Sequence, residues 1–133
     1  MTAKEAKSYL MKYRESLDRA AEVNAHLAEL RSEAEQLKTH EGKSIRLDAA
    51  VARYIDACND AGAYLDMLRD MRDEIVDTIE RVQKQNLRQL LREIYIDGKR
   101  LVQIAAERNQ SYEHICRMHG EALLTVSRMA GKE

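Results

Sequence analysis

The sequence predicts an all-α fold: a long antiparallel helical hairpin, coiled-coil-like, followed by a three-helix helix-turn-helix module. Three observations predict it. Ala, Leu, Arg, Glu and Lys dominate a chain with no Pro, Trp or Phe, which is the composition of long helices. Apolar residues recur in steps of three and four along most of the length. Near the C-terminus two short apolar stripes are separated by a tight polar turn.

The first helix is predicted to open at Thr2-Ala3-Lys4-Glu5, which has the form of a capping box. Its stripe runs through Tyr9, Tyr13, Leu17, Ala20, Val23, Leu27, Leu30, Ala34 and Leu37. It stops at Thr39-His40-Glu41-Gly42, where Gly42 can supply a left-handed terminating residue. Ser44 is the predicted cap of the second helix, with Asp48 in its first turn. Leu47, Val51, Tyr54, Cys58, Ala61, Leu65, Leu68, Ile75, Ile79 and Val82 then alternate by fours and threes, skipping only Arg72. A strict 3.5 repeat of this kind is a coiled-coil seam. A helix from Ser44 to Val82 would be about 58 Å long at 1.5 Å rise per residue. Two such helices joined by a short loop imply an antiparallel hairpin over residues 1–83. Two helices cannot bury two full stripes, so a third element or a second chain is expected to cover the remainder.

The pattern resets near Asn86, the predicted cap of the next helix. Leu87, Leu90, Leu91, Ile94 and Tyr95 form its stripe, and Asp97-Gly98 closes it. A short helix from Arg100 to Arg108 turns Leu101, Ile104 and Ala105 inward, and Asn109 can take the left-handed position after it. Ser111 caps the last helix, whose apolar face is Ile115, Met118, Ala122, Leu123 and Val126. Residues 130–133 read as a frayed end. The module thus occupies 84–133.

Bulk properties narrow the function classes. The net charge is -1. Residues 84–133 hold nine Lys and Arg against six Asp and Glu, a net of +3, which leaves -4 for the remainder. This is a basic module on an acidic scaffold. Cys58 and Cys116 belong to no Cys-x-x-Cys pair, so no disulfide framework is expected. No stretch is apolar enough for a signal peptide or a membrane span, and the expected compartment is the cytoplasm.

The functional reading rests on residues 100–124. Ile104 and Ala105 anchor the first helix, and the small Ala105 lets the second approach. The turn at 109–111 sets the crossing, and Ile115 packs back. That leaves Tyr112, Glu113, Cys116 and Arg117 on an exposed N-terminal face, the face that enters the DNA major groove in this motif. Arg117 can read guanine bidentately and Glu113 can accept from cytosine. Lys99, Arg100, Arg108 and His114 flank the motif and suit phosphates.

The segment resembles the fourth region of bacterial sigma factors. The resemblance lies in Leu101-x-x-Ile104-Ala105, the polar turn ending in Ser111, and Glu113-x-Ile115-x-x-Met118-His119-Gly120-x-Ala122-Leu123. It covers about a third of the chain. The whole chain resembles small phage and prophage proteins with a sigma-like C-terminus, the ArpU and RinA class of late-gene transcriptional regulators. Residues 95–99, 111–123, Tyr64-Leu65-x-x-Leu68 and Glu74-Ile75 carry that match. The resemblance implies a phage- or prophage-encoded protein in a bacterial host, binding promoter DNA or RNA polymerase, without catalysis. It departs where sigma factors carry Arg and this chain has Tyr112 and Cys116, so it does not extend to the standard promoter hexamer.

Other constellations read more simply. His114, Cys116 and His119 place two His five apart, on different helical faces, whereas a helical zinc pair needs a spacing of four. His119 is expected to pack or touch phosphate, Cys116 to be a half-exposed thiol, Cys58 to lie in the seam, and Asp56 and Asp60 to be solvated. No phosphate loop, nucleophile elbow or cofactor motif is present, so no enzyme activity and no cofactor are expected. The expected partners are double-stranded DNA, RNA polymerase and a second copy through the hairpin, with no membrane association. A dimer could set two recognition helices about 34 Å apart. Two rival readings share these features: a small-terminase-like DNA-packaging subunit, and a protein-interaction module without DNA affinity.

Overall fold

The structure, a computed structural model, describes residues 1–38 and 45–130. Every regular element among them is helical: α1 (Ala3–Lys38), α2 (Ile45–Glu80), α3 (Gln85–Leu91), a π-helical turn (Arg92–Ile96), α4 (Leu101–Arg108) and α5 (Tyr112–Ala130). The fold is the all-α hairpin followed by a short-helix module. The expected turn at Thr39–Gly42, the cap at Ser44 and the end at 131–133 lie outside the described residues. No described helix is long and apolar enough to cross a membrane.

The chain forms two compact units, one of residues 1–15 with 71–133 and one of residues 16–70. In the first, α1 opens as its sequence dictates: the Glu5 N–H donates to Thr2 Oγ1 at 3.1 Å. The reciprocal half differs from a full capping box, because Glu5 Oε1 accepts from the Thr2 hydroxyl at 3.2 Å rather than from its backbone. Thr78 Oγ1 donates to the Glu74 carbonyl, which leaves the Tyr9 hydroxyl to donate to Thr78 at 3.2 Å. Tyr9 near the start of α1 therefore meets Thr78 near the end of α2, which is antiparallel pairing. Ala6, Leu10, Ile75, Ile79 and Val82 join Leu87, Leu90, Leu91, Tyr95, Ile104, Ile115, Ala122 and Val126 in one core. Full burial of each Leu or Ile contributes about 1.5–3 kcal/mol.

In the second unit the end of α1 lies near the start of α2, where the charges of Arg31 and Glu35 act on Tyr54. Its seam is thin: Ser16, Ala34, Ala50 and Leu68 are buried, while Val23, Leu27, Leu30, Val51, Cys58 and Leu65 are half-buried. Two expectations are corrected here. Leu17 is 36% exposed and Ser16 takes the seam position, because Ser16 stands about five whole helical turns before the buried Ala34 and so shares its line along α1. Cys58, like Val51 and Leu65, is half-buried on the seam rather than enclosed by it.

The module follows local rules. Val82 N–H bonds to Ile79 O at 3.1 Å and tightens the end of α2. Lys84, not Asn86, is the residue that precedes α3, and it makes no side-chain cap; Asn86 Oδ1 instead accepts the Leu87 N–H at 3.0 Å. After Leu91 the hydrogen bonds lengthen by one residue, with Asp97 N–H reaching Arg92 O at 2.9 Å. Gly98 at φ +74 reverses the chain there, and any Cβ would collide with the Arg14 guanidinium, which donates to Ile96 O at 2.9 Å. Glycine meets both demands.

Candidate nucleic-acid interface

The helix-turn-helix is built from α4, residues 109–111 and α5. Asn109 ends α4 at φ 57, ψ 41. Its N–H bonds to Ala106 O, and Gln110 N–H bonds to Ala105 O at 2.9 Å. These are the two bonds of a Schellman motif, which satisfy carbonyls the helix end would orphan. Ser111 Oγ then accepts the His114 N–H at 3.1 Å and starts α5. Ile104, Ala105 and Ile115 are buried where α4 and α5 pack, as their spacing predicts. Met118, Ala122, Leu123 and Val126 carry the same face on against α3.

Burying Ile115 and Met118 fixes which residues face out. Tyr112 is 52% exposed, and Glu113, His114 and Arg117 are exposed. Cys116 is half-buried. The neighbouring Cys116 thiol, one turn on, is the largest influence raising the Tyr112 phenol above its usual range. Among the described residues Glu113 and Arg117 have no ion-pair partner. Both are free to meet groups outside the chain.

The flanking cations divide into two pairs. Arg100, just before α4, and His114 are exposed. Lys99 and Arg108 are instead held by the module itself. Lys99 Nζ lies 3.0 Å from Glu107 and 3.9 Å from Glu93. Arg108 lies 2.7 Å from Glu93, whose side chain is only 14% exposed. The hydrogen bond to Glu107 raises the Lys99 ammonium, and the same bond lowers the Glu107 carboxyl. Gln103 also donates to Glu107 at 3.1 Å. The network ties the residues after the π turn to α4. Sequence reasoning missed Glu93 as its hub, and the only local signal was the i, i+4 spacing of Gln103 and Glu107.

His119 packs rather than projecting. Its Nε2 lies 2.6 Å from the Tyr95 hydroxyl, with ring centroids 5.7 Å apart. Burial, helped by the charge of Lys7, lowers the imidazole below its usual range, and burial pushes the Tyr95 phenol up to about 12. Asp56 and Asp60 are exposed, and no group of three potential metal ligands occurs among the described residues.

No family model, no curated protein and no solved structure matches the chain.

Proposed function

We propose that this protein is a DNA-binding regulator of transcription that inserts the first turns of α5 into the major groove. One observation carries the reading. The left-handed Asn109 and the Ser111 cap set α5 across α4, and this leaves Glu113 and Arg117 exposed and unpaired on adjacent turns of the leading end. Exposed polar side chains at that end are what groove reading requires. Arg117 is the guanine-reading residue, Glu113 the cytosine-reading one, and Tyr112 and Cys116 supply the apolar edge of the face. Arg100 and His114 contact phosphates, while Lys99 and Arg108 chiefly brace the module. The resemblance to sigma region 4 and to the ArpU and RinA class supports a phage-type regulator that acts at promoters beside RNA polymerase in the host cytoplasm, as a dimer joined through the hairpin.

Fluorescence anisotropy with random-sequence and selected duplexes tests this reading. Binding to both, with affinity falling steeply as salt rises, is the expected result, because phosphate contacts release counterions. Absence of salt-sensitive binding to any duplex sinks the proposal and leaves a protein-interaction module. A ring of many subunits in solution would replace it with the DNA-packaging reading.

A further inference from the structure

We propose that a second copy of this chain docks antiparallel on α2, with the two-fold axis passing beside Cys58. The inference rests on the self-association proposed above and names its face and register. At 3.6 residues per turn, Val51, Ile55, Cys58, Gly62 and Leu65 share one face of α2. That face lies beside the line containing the buried Ala50 and Leu68. Ile55 is 50% exposed, and the other four are half-buried. The opposite flank of α2 carries the exposed charges Arg46, Arg53, Asp56 and Asp60, so the apolar residues are segregated to one side.

Gly62 gives the register. A glycine inside a helix costs about 1 kcal/mol relative to alanine. Nothing among the described residues explains it, since a Cβ there would meet none of their atoms within 4 Å. A neighbouring helix that approaches closely would use the space. In an isologous contact, residue i meets residue j and j meets i. If Ile55 fills the gap at Gly62 of the second copy, Val51 meets Leu65 of the second copy and Cys58 meets its own counterpart. Every layer is then apolar, with a large residue against a small one at Gly62.

Charge fixes the same alignment from its ends. Asp48 and Arg69 are exposed at the two ends of the face. In the antiparallel register Asp48 of each copy meets Arg69 of the other. In a parallel arrangement Asp48 would meet Asp48 and Arg69 would meet Arg69, at a cost. The Arg69 guanidinium is 3.3 Å from Asp66 of its own helix, an exposed pair that contributes little and leaves donors for a second carboxylate.

Sedimentation equilibrium of the full chain across micromolar concentrations is the first test. The expected mass is twice 15.3 kDa. Ile55→Glu should give a monomer whose circular dichroism remains helical. Asp48→Arg and Arg69→Asp should each weaken the dimer several-fold, and the double variant should restore it. In a Cys116→Ser background a short bis-maleimide should join two copies through Cys58. A wild-type monomer at tens of micromolar overturns both this inference and the self-association reading. A dimer that Ile55→Glu leaves intact, or whose charge-swapped double variant is no stronger than the single ones, overturns this face alone. Neither outcome bears on DNA affinity, which the salt titration measures separately.

Discussion

The Tyr95 hydroxyl lies 2.6 Å from His119 Nε2, joining the π turn to the middle of α5. Both groups are kept neutral by burial, the phenol raised and the imidazole lowered. In the neutral tautomer that carries its proton on Nδ1, His119 offers a bare Nε2 that accepts from the Tyr95 hydroxyl. Protonation removes that acceptor and places a cation near Lys7. The sign of the pH dependence follows from linkage. Below the ordinary histidine value of about 6.5 the unfolded chain takes up a proton that the folded chain resists. Stability is therefore full above about 6.5 and is lost as pH falls toward the lowered folded value. On the alkaline side it declines as pH rises from 10 toward about 12, where the unfolded phenol ionises first. Urea midpoints at pH 7.5 and 5.5 check the acid limb. The wild type should lose more stability between them than His119→Gln, and equal losses would contradict the assignment.

Arg117→Ala should weaken specific DNA binding by about 1–3 kcal/mol, the worth of one bidentate base contact, and should leave the melting temperature unchanged. Anisotropy against a selected duplex measures the first and calorimetry the second. An unaltered affinity would remove Arg117 from the reading face.

Arg100 and Arg108 should separate cleanly. Arg100 is exposed, so Arg100→Ala should lower the salt slope of DNA binding by about one with little effect on folding. Arg108 is paired with the nearly buried Glu93, so Arg108→Ala should destabilise the fold, because the carboxylate loses its 2.7 Å partner and keeps only Lys99 at 3.9 Å. The reverse pattern in urea melts and salt titrations would show that the two roles had been exchanged.

Asn109 holds φ 57. Asn109→Gly should be neutral or slightly stabilising, whereas Asn109→Ala should cost about 1 kcal/mol, from the left-handed penalty on a Cβ. Chemical denaturation of the pair against wild type decides it.

Arg72 occupies the skipped heptad position, and its Nη1 is buried without a hydrogen-bond partner among the described residues. An orphaned buried donor costs about 1–3 kcal/mol. Arg72→Met, which keeps the length of the stem and removes the polar head, should raise the urea midpoint. A lowered midpoint would mean that the guanidinium contributes more than it costs.

The parts of this fold legible in the sequence are those governed by neighbours along the chain. Asn109, Ser111 and the Ile104, Ala105, Ile115 triplet obey rules spanning three to eleven residues, and each stands where the spacing put it. Ser16 was hidden because apolar counting passes over a serine; only the burial of its neighbours in register selects it over Leu17. The π turn was hidden too, since one additional residue per turn leaves the Leu91 to Tyr95 pattern indistinguishable from an ordinary stripe. Lys99 and Arg108 looked like phosphate ligands because charge alone was visible. Their carboxylate partners arrive through tertiary folding, which no local spacing announces.

The contact of Arg14 with Ile96 O, together with the burial of Ala6 and Leu10 in the core with Val126, has a consequence for synthesis on the ribosome. Residues near the start of α1 are completed by residues made more than a hundred positions later. Closing such a separation is slow compared with forming local turns, so until α5 emerges the core shared by the opening turns of α1 and the end of α2 lacks Ile115, Ala122 and Val126 and stays partly open to solvent. A nascent chain stalled before Ile115 should therefore be bound by holdase chaperones, and release of the remaining α5 residues should free it.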